Sequence, residues 1–250
     1  MMNKILVENN KISCDNDNIE IKDNVVTFKN SGEYILEYVT SGNYGITFIV
    51  EDNVKLIETS YYNDIVIKNK YVIKNGELKV VKFYNNKKVL EQIDIDLCSE
   101  LASIDYHFAN ICKEEEKYTI NINHKCKNTF SNIVNRSIAF KNSVLKFILN
   151  SNVGRDCIKS VLDQYTRIVT MGECDASVSP NMFIDIDDVS AKHGSVIGSF
   201  KNEDVFYIMC RGISYNDTLK LLIKGYLMAG MEVDPDTRLK IMQIIDMYWR

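Results

Sequence analysis

Proline and histidine are scarce in this sequence, and no long apolar run occurs. Its 250 residues hold two prolines, Pro180 and Pro235, and three histidines. No stretch of about 18 apolar residues is present, which excludes a typical membrane-spanning helix. The opening MMNKILVENN has too short an apolar part, interrupted at once by polar residues, for a signal peptide. We therefore expect a cytoplasmic protein that has no membrane partner.

Motifs that would carry chemistry are also absent. No two of the seven cysteines stand at C-x-x-C spacing, so a zinc ribbon or a thioredoxin-type site has no support. An odd number of cysteines in a cytoplasmic chain also argues against a disulfide framework. The G-x-x-x-x-G-K-[ST] motif is missing, so we expect no ATP hydrolysis by this chain itself. The net charge of −4 gives no reason to expect nucleic acid as the partner.

What the sequence does contain, from about residue 20 to residue 190, is a series of short strand-like runs. They are rich in β-branched and aromatic residues and are separated by turn residues. Clear examples are Glu33–Val39, Tyr44–Val50, Asp64–Tyr84 and Lys117–Asn123. The Asn75-Gly76 pair inside the third run predicts a hairpin or another tight turn. The run Val89–Asn110 fits either strands or a partly helical segment.

Two all-β architectures fit these strands. A sandwich or barrel needs antiparallel hairpins throughout, whereas a β-solenoid stacks short parallel strands coil on coil. After Gly76 few Asn-Gly or Asp-Gly hairpin signals occur, and strands recur near residues 120, 146, 168 and 184. The spacing is irregular and no clean repeat is visible, so the pattern itself favours the solenoid only weakly.

Towards the end of the chain the apolar spacing changes to a helical period. A first short helix is expected to end at Gly212, and a second has Ser214 as its N-cap. A third begins with Asp234 as N-cap, followed directly by a proline. The sequence therefore predicts a β core over residues 1–200 and a helical segment over residues 201–250.

A group of motifs spans the last strand-like run and the helices that follow it. In order they are Asp187-Asp188-Val189, His193-Gly194-Ser195, Gly198, Phe206-Tyr207, Arg211-Gly212-Ile213 and Gly225-Tyr226. In residue type, order and spacing this set resembles the SufB/SufD family of iron–sulfur cluster assembly proteins. The resemblance runs from about residue 136 to residue 227. It implies a mainly β fold, a right-handed parallel β-helix with a C-terminal helical segment.

Two positions separate the two types within that family. The SufB type has a cysteine on a late strand and a Glu directly after the histidine, and both are implicated in building the cluster. The matching positions here are Tyr165 and Gly194, so both groups are missing. The chain therefore resembles the SufD type, which contributes a histidine to a shared interface. The resemblance implies a non-catalytic component that pairs with a SufB-like chain and docks a SufC-like ABC ATPase.

His193 is the first candidate site residue. A neutral imidazole binds iron, and the resemblance implies a transient iron–sulfur cluster at an interface shared with another chain. The ordinary alternative is a histidine in a turn, hydrogen-bonded to the backbone. Cys174, some 20 residues earlier, becomes a second candidate if neighbouring coils bring the two residues together. The alternative for Cys174 is a turn or core thiol.

The last two helices are the expected docking surface for the ATPase. The resemblance implies that this segment binds the ATPase. The residues that we expect to take part are Arg211 and the apolar stripe of Leu219, Leu222, Ile223 and Tyr226. The alternative roles are structural, because such a stripe can cap the solenoid end and a cation at a helix end bonds the last carbonyls.

Two other functions stay open. One is a stand-alone SufB-like cluster scaffold that acts as a homodimer, which the cysteine count permits, although the Glu after His193 is missing. The other is a polysaccharide-active β-helix enzyme, which needs clustered carboxylates. Asp185, Asp187 and Asp188 form a dense acidic group, but they fit a strand end before a turn equally well.

Overall fold

Eighteen strands and three helices make up the part of the protein that a computed structural model describes, residues 3–9, 11–14 and 19–248. The first nine strands are β1 (Asn3–Glu8), β2 (Lys11–Cys14), β3 (Ile19–Lys22), β4 (Val25–Phe28), β5 (Gly32–Tyr38), β6 (Gly42–Tyr44), β7 (Thr47–Val50), β8 (Val54–Tyr61) and β9 (Asp64–Ile73). The other nine are β10 (Glu77–Asn85), β11 (Lys88–Leu97), β12 (Ser103–Cys112), β13 (Glu115–His124), β14 (Phe130–Phe140), β15 (Val144–Val153), β16 (Ser160–Met171), β17 (Asp175–Ile184) and β18 (Val189–Gly198). The helices are α1 (Asn202–Met209), α2 (Tyr215–Met228) and α3 (Pro235–Met247).

From β8 onward each strand pairs in parallel with the strand two places further along the chain. The even-numbered strands from β8 to β18 follow one another in a nine-stranded sheet, sheet A. The odd-numbered strands from β9 to β17 do the same in a second nine-stranded sheet, sheet B. The chain alternates between the two sheets and winds through about seven coils. The prediction of a parallel β-helix is confirmed, since antiparallel pairs among the described strands occur only in β1–β2 and β3–β4.

From β5 to β16 the coils lengthen along sheet A. Gly32 pairs with Val54, 22 residues later, whereas Phe130 pairs with Val161, 31 residues later. A repeat whose length grows from coil to coil has no fixed period. This growth explains why the sequence shows strands but no clean repeat.

The structure also decides the two ambiguous segments of the sequence. Gly76 has a φ of 74° in a tight turn that links β9 in sheet B to β10 in sheet A. This left-handed backbone suits glycine, and the turn joins two sheets without forming a hairpin. The run Val89–Asn110, which fitted strand or helix, belongs to the two strands β11 and β12.

Aromatic side chains fill much of the space between the two sheets. Phe48 and Tyr71 stack with their ring centroids 5.0 Å apart, and Tyr118 and Phe147 stack at 4.9 Å. All four rings are buried. An aromatic side chain removes about 150–250 Å² from water, so such pairs contribute a large part of the driving force that stacks the coils.

The helices α2 and α3 cover part of the outer face of sheet A. The buried residues of the two helices in this layer include Ile223, Leu227, Ile241, Ile244 and Ile245. Their partners on the outer face of sheet A include Val81, Ile111, Ile138 and Val169. This second apolar layer attaches the helical segment to the solenoid. No helix in the described part of the chain is long and apolar enough to cross a membrane.

The helix ends agree with the sequence analysis. Ser214 Oγ accepts a hydrogen bond from the amide of Asp217 at 3.2 Å, and Asp234 Oδ1 accepts one from the amide of Thr237 at 3.0 Å. Gly212, with a φ of 81°, follows the end of α1. The starts of α2 and α3 and the end of α1 therefore lie where local backbone chemistry predicts.

A charged cluster lies inside the solenoid. Lys82 Nζ lies 3.0 Å from Glu58 Oε1 and also contacts Glu91, and all three side chains are buried. Tyr71 and Tyr84 donate hydrogen bonds to the carboxylate of Glu58. Two buried carboxylates against one ammonium are costly unless a proton neutralises one of them. Burial accordingly raises the pKa of Glu91 above its ordinary value.

Glu116 is a further buried carboxyl group. Its Oε2 accepts hydrogen bonds from Tyr118 OH at 2.8 Å and from Asn110 Nδ2, and its Oε1 has no partner among the described residues. Burial raises the pKa of Glu116 from 4.5 to about 7, and the two hydrogen bonds oppose the rise only in part. Because the folded state favours the protonated form, stability is lost as the pH rises from the unfolded pKa towards the folded one.

We expect Glu116→Gln to stabilise the protein at pH 8 by roughly 3 kcal/mol, because Gln keeps an acceptor and never ionises. At pH 5 the gain should fall below about 1 kcal/mol, since both states then carry a mostly or partly protonated Glu. Urea unfolding of both proteins at the two pH values measures the difference.

Glu115→Gln is the matched control for this variant. Glu115 is exposed next to Glu116 and pairs with Lys117 on the surface, so its replacement should leave the free energy of unfolding close to that of the unchanged chain at both pH values. An equal gain for Glu116→Gln at pH 5 and pH 8 would contradict the assignment of a buried proton.

Candidate functional site

In the described part of the chain, no further coil stacks on the last coil of the solenoid, which β17 and β18 form. The inward-facing Ile168 of β16 is 0% exposed, whereas Ile197, its partner on β18, is 44% exposed. Among the described strands β17 pairs only with β15 and β18 only with β16, so each has one unpaired edge. Phe183 and Val196 are also exposed on this coil. Unpaired edges beside exposed apolar side chains are typical of an association surface.

A ladder of amide side chains ends at the same edge. Asn121 donates a hydrogen bond to Asp94 at 2.7 Å, and Asn150 donates one to Asn121 at 2.8 Å. Asn181 on β17 donates one to Asn150 at 2.9 Å. Each amide thus donates to the coil before it and accepts from the coil after it. Asn181 has no following coil to supply a donor, so the ladder is open at the last coil.

His193 lies in the middle of β18, and not in a turn, which was the alternative that the sequence left open. It pairs in register with Gln164 on β16. Paired residues of a parallel sheet share a face, and Gln164 is buried inside the solenoid, so His193 belongs to the inward-facing row. Its side chain is exposed because no coil covers this row. The imidazole therefore stands at the open end of the interior.

Cys174 lies just before β17 and packs against the apolar interior. Burial raises the pKa of its thiol, which disfavours the thiolate that binds metal. Cys174 comes three residues after the end of β16, and Val169 near that end pairs with Gly198 of β18. Gly198 lies five residues beyond His193, about 16 Å along a strand. The structure therefore does not bring Cys174 and His193 together.

No ready metal centre is present in residues 3–9, 11–14 and 19–248. No group of three or more His, Cys, Asp or Glu side chains there is placed to hold a metal ion. Asp185, Asp187 and Asp188 lie exposed in the turn between β17 and β18. Their position fits the strand-end alternative.

The helix α1 presents an aromatic surface beside the last coil. None of its residues is buried, and Phe206 and Tyr207 are 69% and 61% exposed. The guanidinium of Arg211 lies 3.8 Å from the ring centroid of Tyr207 and donates a hydrogen bond to its hydroxyl. Arg211 therefore extends the surface that the two rings form.

The apolar stripe of α2 packs against the chain itself. Leu219 and Ile223 are buried, and Leu222 and Tyr226 are half-buried. Tyr226 OH donates a hydrogen bond to the carbonyl of Arg167 on β16. The stripe thus fixes α2 to the solenoid, and Leu219 and Ile223 have no free surface to offer a partner.

Comparisons with known proteins agree with this architecture. The family model for the SufBD core domain of the SUF system for FeS cluster assembly matches residues 55–226, more than half of the chain. The chain belongs to the SufBD family. The similarity to SufD-named relatives confirms that it is closer to SufD.

Two curated relatives of the SufBD chain are named iron–sulfur cluster assembly protein SufD. The protein of Bacillus subtilis (strain 168) is 22% identical over 199 residues, which cover 77% of this chain and 44% of the relative. The protein of Escherichia coli (strain K12) is 29% identical over 90 residues, 36% of this chain and 21% of the relative. The chain therefore spans less than half the length of these relatives.

The two positions that separate the types of the SufBD family lie side by side. Tyr165 on β16 and Gly194 on β18 are paired in register, one position along from His193 and on the opposite face of the sheet. A side chain at Gly194 would begin 3.4 Å from the ring of Tyr165, in ordinary contact. A phenol ring and a glycine thus occupy the two neighbouring positions at which the resemblance implies a thiol and a carboxylate in the SufB type.

The other two histidines of this SufBD chain have partners within the fold. His124 is buried and hydrogen-bonds to Thr129 Oγ1 at 2.7 Å and Ser131 Oγ at 3.0 Å. Burial lowers its pKa to about 4, so it is neutral at pH 7. His107 Nε2 lies 3.0 Å from Asp105 Oδ1. Of the three histidines, only His193 stands at the open end.

Proposed function

We propose that this chain is a SufD-like, non-catalytic component of an iron–sulfur cluster assembly complex. The observation that carries the proposal is the open last coil, with His193 in its uncovered inward row. A solenoid end needs a cap, and a second β-helix of the same family has strand edges that could supply one. Membership in the SufBD family and the two SufD-named relatives support the same role.

The partner at the last coil, in this proposal, is a SufB-like chain. Its edge strands would continue sheets A and B and bond to the free backbone groups of β17 and β18. The contact would also cover Phe183 and Ile197 and supply the donor that Asn181 lacks. Each buried Å² of apolar surface contributes about 25 cal/mol, so exposed side chains of this size favour a stable contact.

The cluster is the cargo of such a complex, and His193 is the residue that this chain would contribute to it. Once the partner covers the last coil, the imidazole lies between the two solenoids, out of bulk water. A single imidazole does not hold a cluster, so the other ligands come from the partner. Cys174 stays the weaker candidate, because its thiol packs against the apolar interior, beyond the strand end at Gly198 and away from His193.

The second partner in the proposal is a SufC-like ABC ATPase, bound on α1. Phe206, Tyr207 and Arg211 supply exposed aromatic and charged surface, the residue types that dominate protein interfaces. The apolar stripe of α2 packs against the solenoid and so fixes the helical segment that carries this surface. Residues 199–201 link β18 directly to α1, so a movement of the docked ATPase would reach the strand that carries His193 within three residues.

A cytoplasmic location is part of the same proposal. All seven cysteines are free thiols in the structure. Unpaired thiols in this number fit a reducing compartment, where structural disulfides are rare.

Replacement of Phe206 tests the docking surface. Because no residue of α1 is buried, Phe206→Asp should leave the melting temperature of the chain unchanged and reduce binding of a SufC-like ATPase about tenfold or more. Co-purification and calorimetric titration with the ATPase measure this loss. Leu101→Asp is the control, since Leu101 is 72% exposed in a distant turn. Equal binding by the two variants would contradict the assignment of α1.

Replacement of His193 tests the cluster site. His193→Ala should fold normally, because the side chain is exposed, and should lower cluster formation by the assembled complex under anaerobic reconstitution, followed by absorbance. Lys192→Ala, its exposed neighbour on the opposite face, should have no effect. Unchanged cluster formation with His193→Ala would return the histidine to a structural role. A cluster on the purified chain alone would favour the homodimeric scaffold instead.

A further inference from the structure

Two arginines stand side by side on the outer face of sheet A. Arg136 on β14 and Arg167 on β16 are paired in register, and neighbouring strands lie about 4.8 Å apart. Both side chains are half-buried. Like charges directly opposite each other destabilise a sheet, so this pair costs stability unless an anion lies close to it.

The described residues supply no such anion. Neither guanidinium forms an ion pair or donates a hydrogen bond to a protein acceptor there. Every ion pair in the described ranges uses a lysine or His107 instead. A guanidinium has five N–H donors whose planar fork matches oxyanions such as phosphate. Two guanidinium groups are therefore available at one place to bind an oxyanion.

Tyr226 and Gly230 lie beside the pair. Tyr226 lies beside it, with its ring centroid 5.3 Å from the guanidinium carbon of Arg167. Gly230, with a φ of 77°, follows the end of α2, and a side chain at this position would begin 4.0 Å from Arg136 Nη1 and 3.3 Å from His107 Nδ1. Because 3.3 Å is already short for a Cβ contact, a glycine at this position lets the end of α2 lie close to both groups.

His107 gives a second, independent indication of a ligand. Its Nδ1 is buried and has no hydrogen-bond partner among the described residues, and it lies close to Gly230 beside the arginine pair. Its other nitrogen, Nε2, contacts Asp105, which also accepts a hydrogen bond from Asn132 and pairs with Lys79. The carboxylate of Asp105 is thus already satisfied, and it leaves the two guanidinium groups without a counter-charge.

We propose that Arg136 and Arg167 form a binding site for a phosphate-type oxyanion, bordered by Tyr226, Gly230 and His107. The bound anion accepts bidentate hydrogen bonds from the guanidinium forks and cancels their repulsion. The site lies on the outer face of sheet A, on the face opposite to His193, and it does not depend on the role proposed for that residue.

Thermal unfolding of the whole chain in sodium phosphate, against sodium chloride at equal ionic strength, tests the site. We expect phosphate to raise the melting temperature in a saturable way. Arg136→Gln and Arg167→Gln should each weaken the apparent affinity about tenfold or more, because each removes charged hydrogen bonds to the anion. Arg155→Gln, an exposed arginine in a turn after β15, should bind phosphate like the unchanged chain. Sulfate and acetate arms show whether a tetrahedral dianion is preferred over a carboxylate.

The competing explanation is that the arginines only offset the negative end of the α2 dipole. In that case both variants lower the melting temperature in chloride, and phosphate adds the same increment to every protein. The anion site instead predicts that in chloride the variants are as stable as the unchanged chain or more so. Arg167→Lys, which keeps the charge but loses the fork, serves if a Gln variant fails to fold. A wild-type chain that responds equally to phosphate and chloride would overturn the proposal.

Discussion

Each coil of this β-helix depends on its neighbours for backbone hydrogen bonds and for cover over its inward-facing side chains. No coil supplies these hydrogen bonds or this cover for itself. Each sheet gains one strand per coil, so the hydrogen bonds between strands run from one coil to the next. The first coil meets this constraint with two antiparallel pairs, β1–β2 and β3–β4. The last coil does not meet this constraint within the residues that the structure describes, and the candidate site lies there.

This constraint also relates the two proposed partner surfaces. The unpaired strand edges of β17 and β18 and the aromatic surface of α1 are joined by residues 199–201. The helices α2 and α3 are fixed to the outer face of sheet A by a buried apolar layer, whereas α1 has no buried residue. The free strand edges of the last coil and helix α1 therefore lie next to each other on an otherwise rigid body. Such a layout suits a component that links a docked ATPase to a contact between chains.

Local chemistry in the sequence predicted the elements but not how they pair. Strands, the Gly76 turn and the caps at Ser214 and Asp234 follow from nearby residues, and all are present. Parallel pairing joins residues that lie 22 to 31 positions apart. Because this interval changes from coil to coil, the sequence shows no fixed period. The fold therefore depended on a resemblance that covers only part of the chain.

The candidate site shows the same division between local and distant information. Small residues around His193 resemble a turn, but an edge strand tolerates them, so the histidine proved to lie within β18. The stripe of α2 correctly indicated a buried face, yet amphipathicity does not say what covers it, and the cover is the chain's own sheet. The buried Lys82 cluster was missed, because a charge inside an apolar run looks like a solvent-facing position until its partners are known.

Hydrogen–deuterium exchange of the chain, with and without a SufB-like partner, tests the open last coil most directly. Alternate amides on the free edges of β17 and β18 have no acceptor in the described structure, so they should exchange fast in the free chain. We predict that the partner slows their exchange at least about tenfold and leaves the first coil unchanged, since a new ladder forms only at the open end. Protection of other strands with none in β17 and β18 would contradict the account.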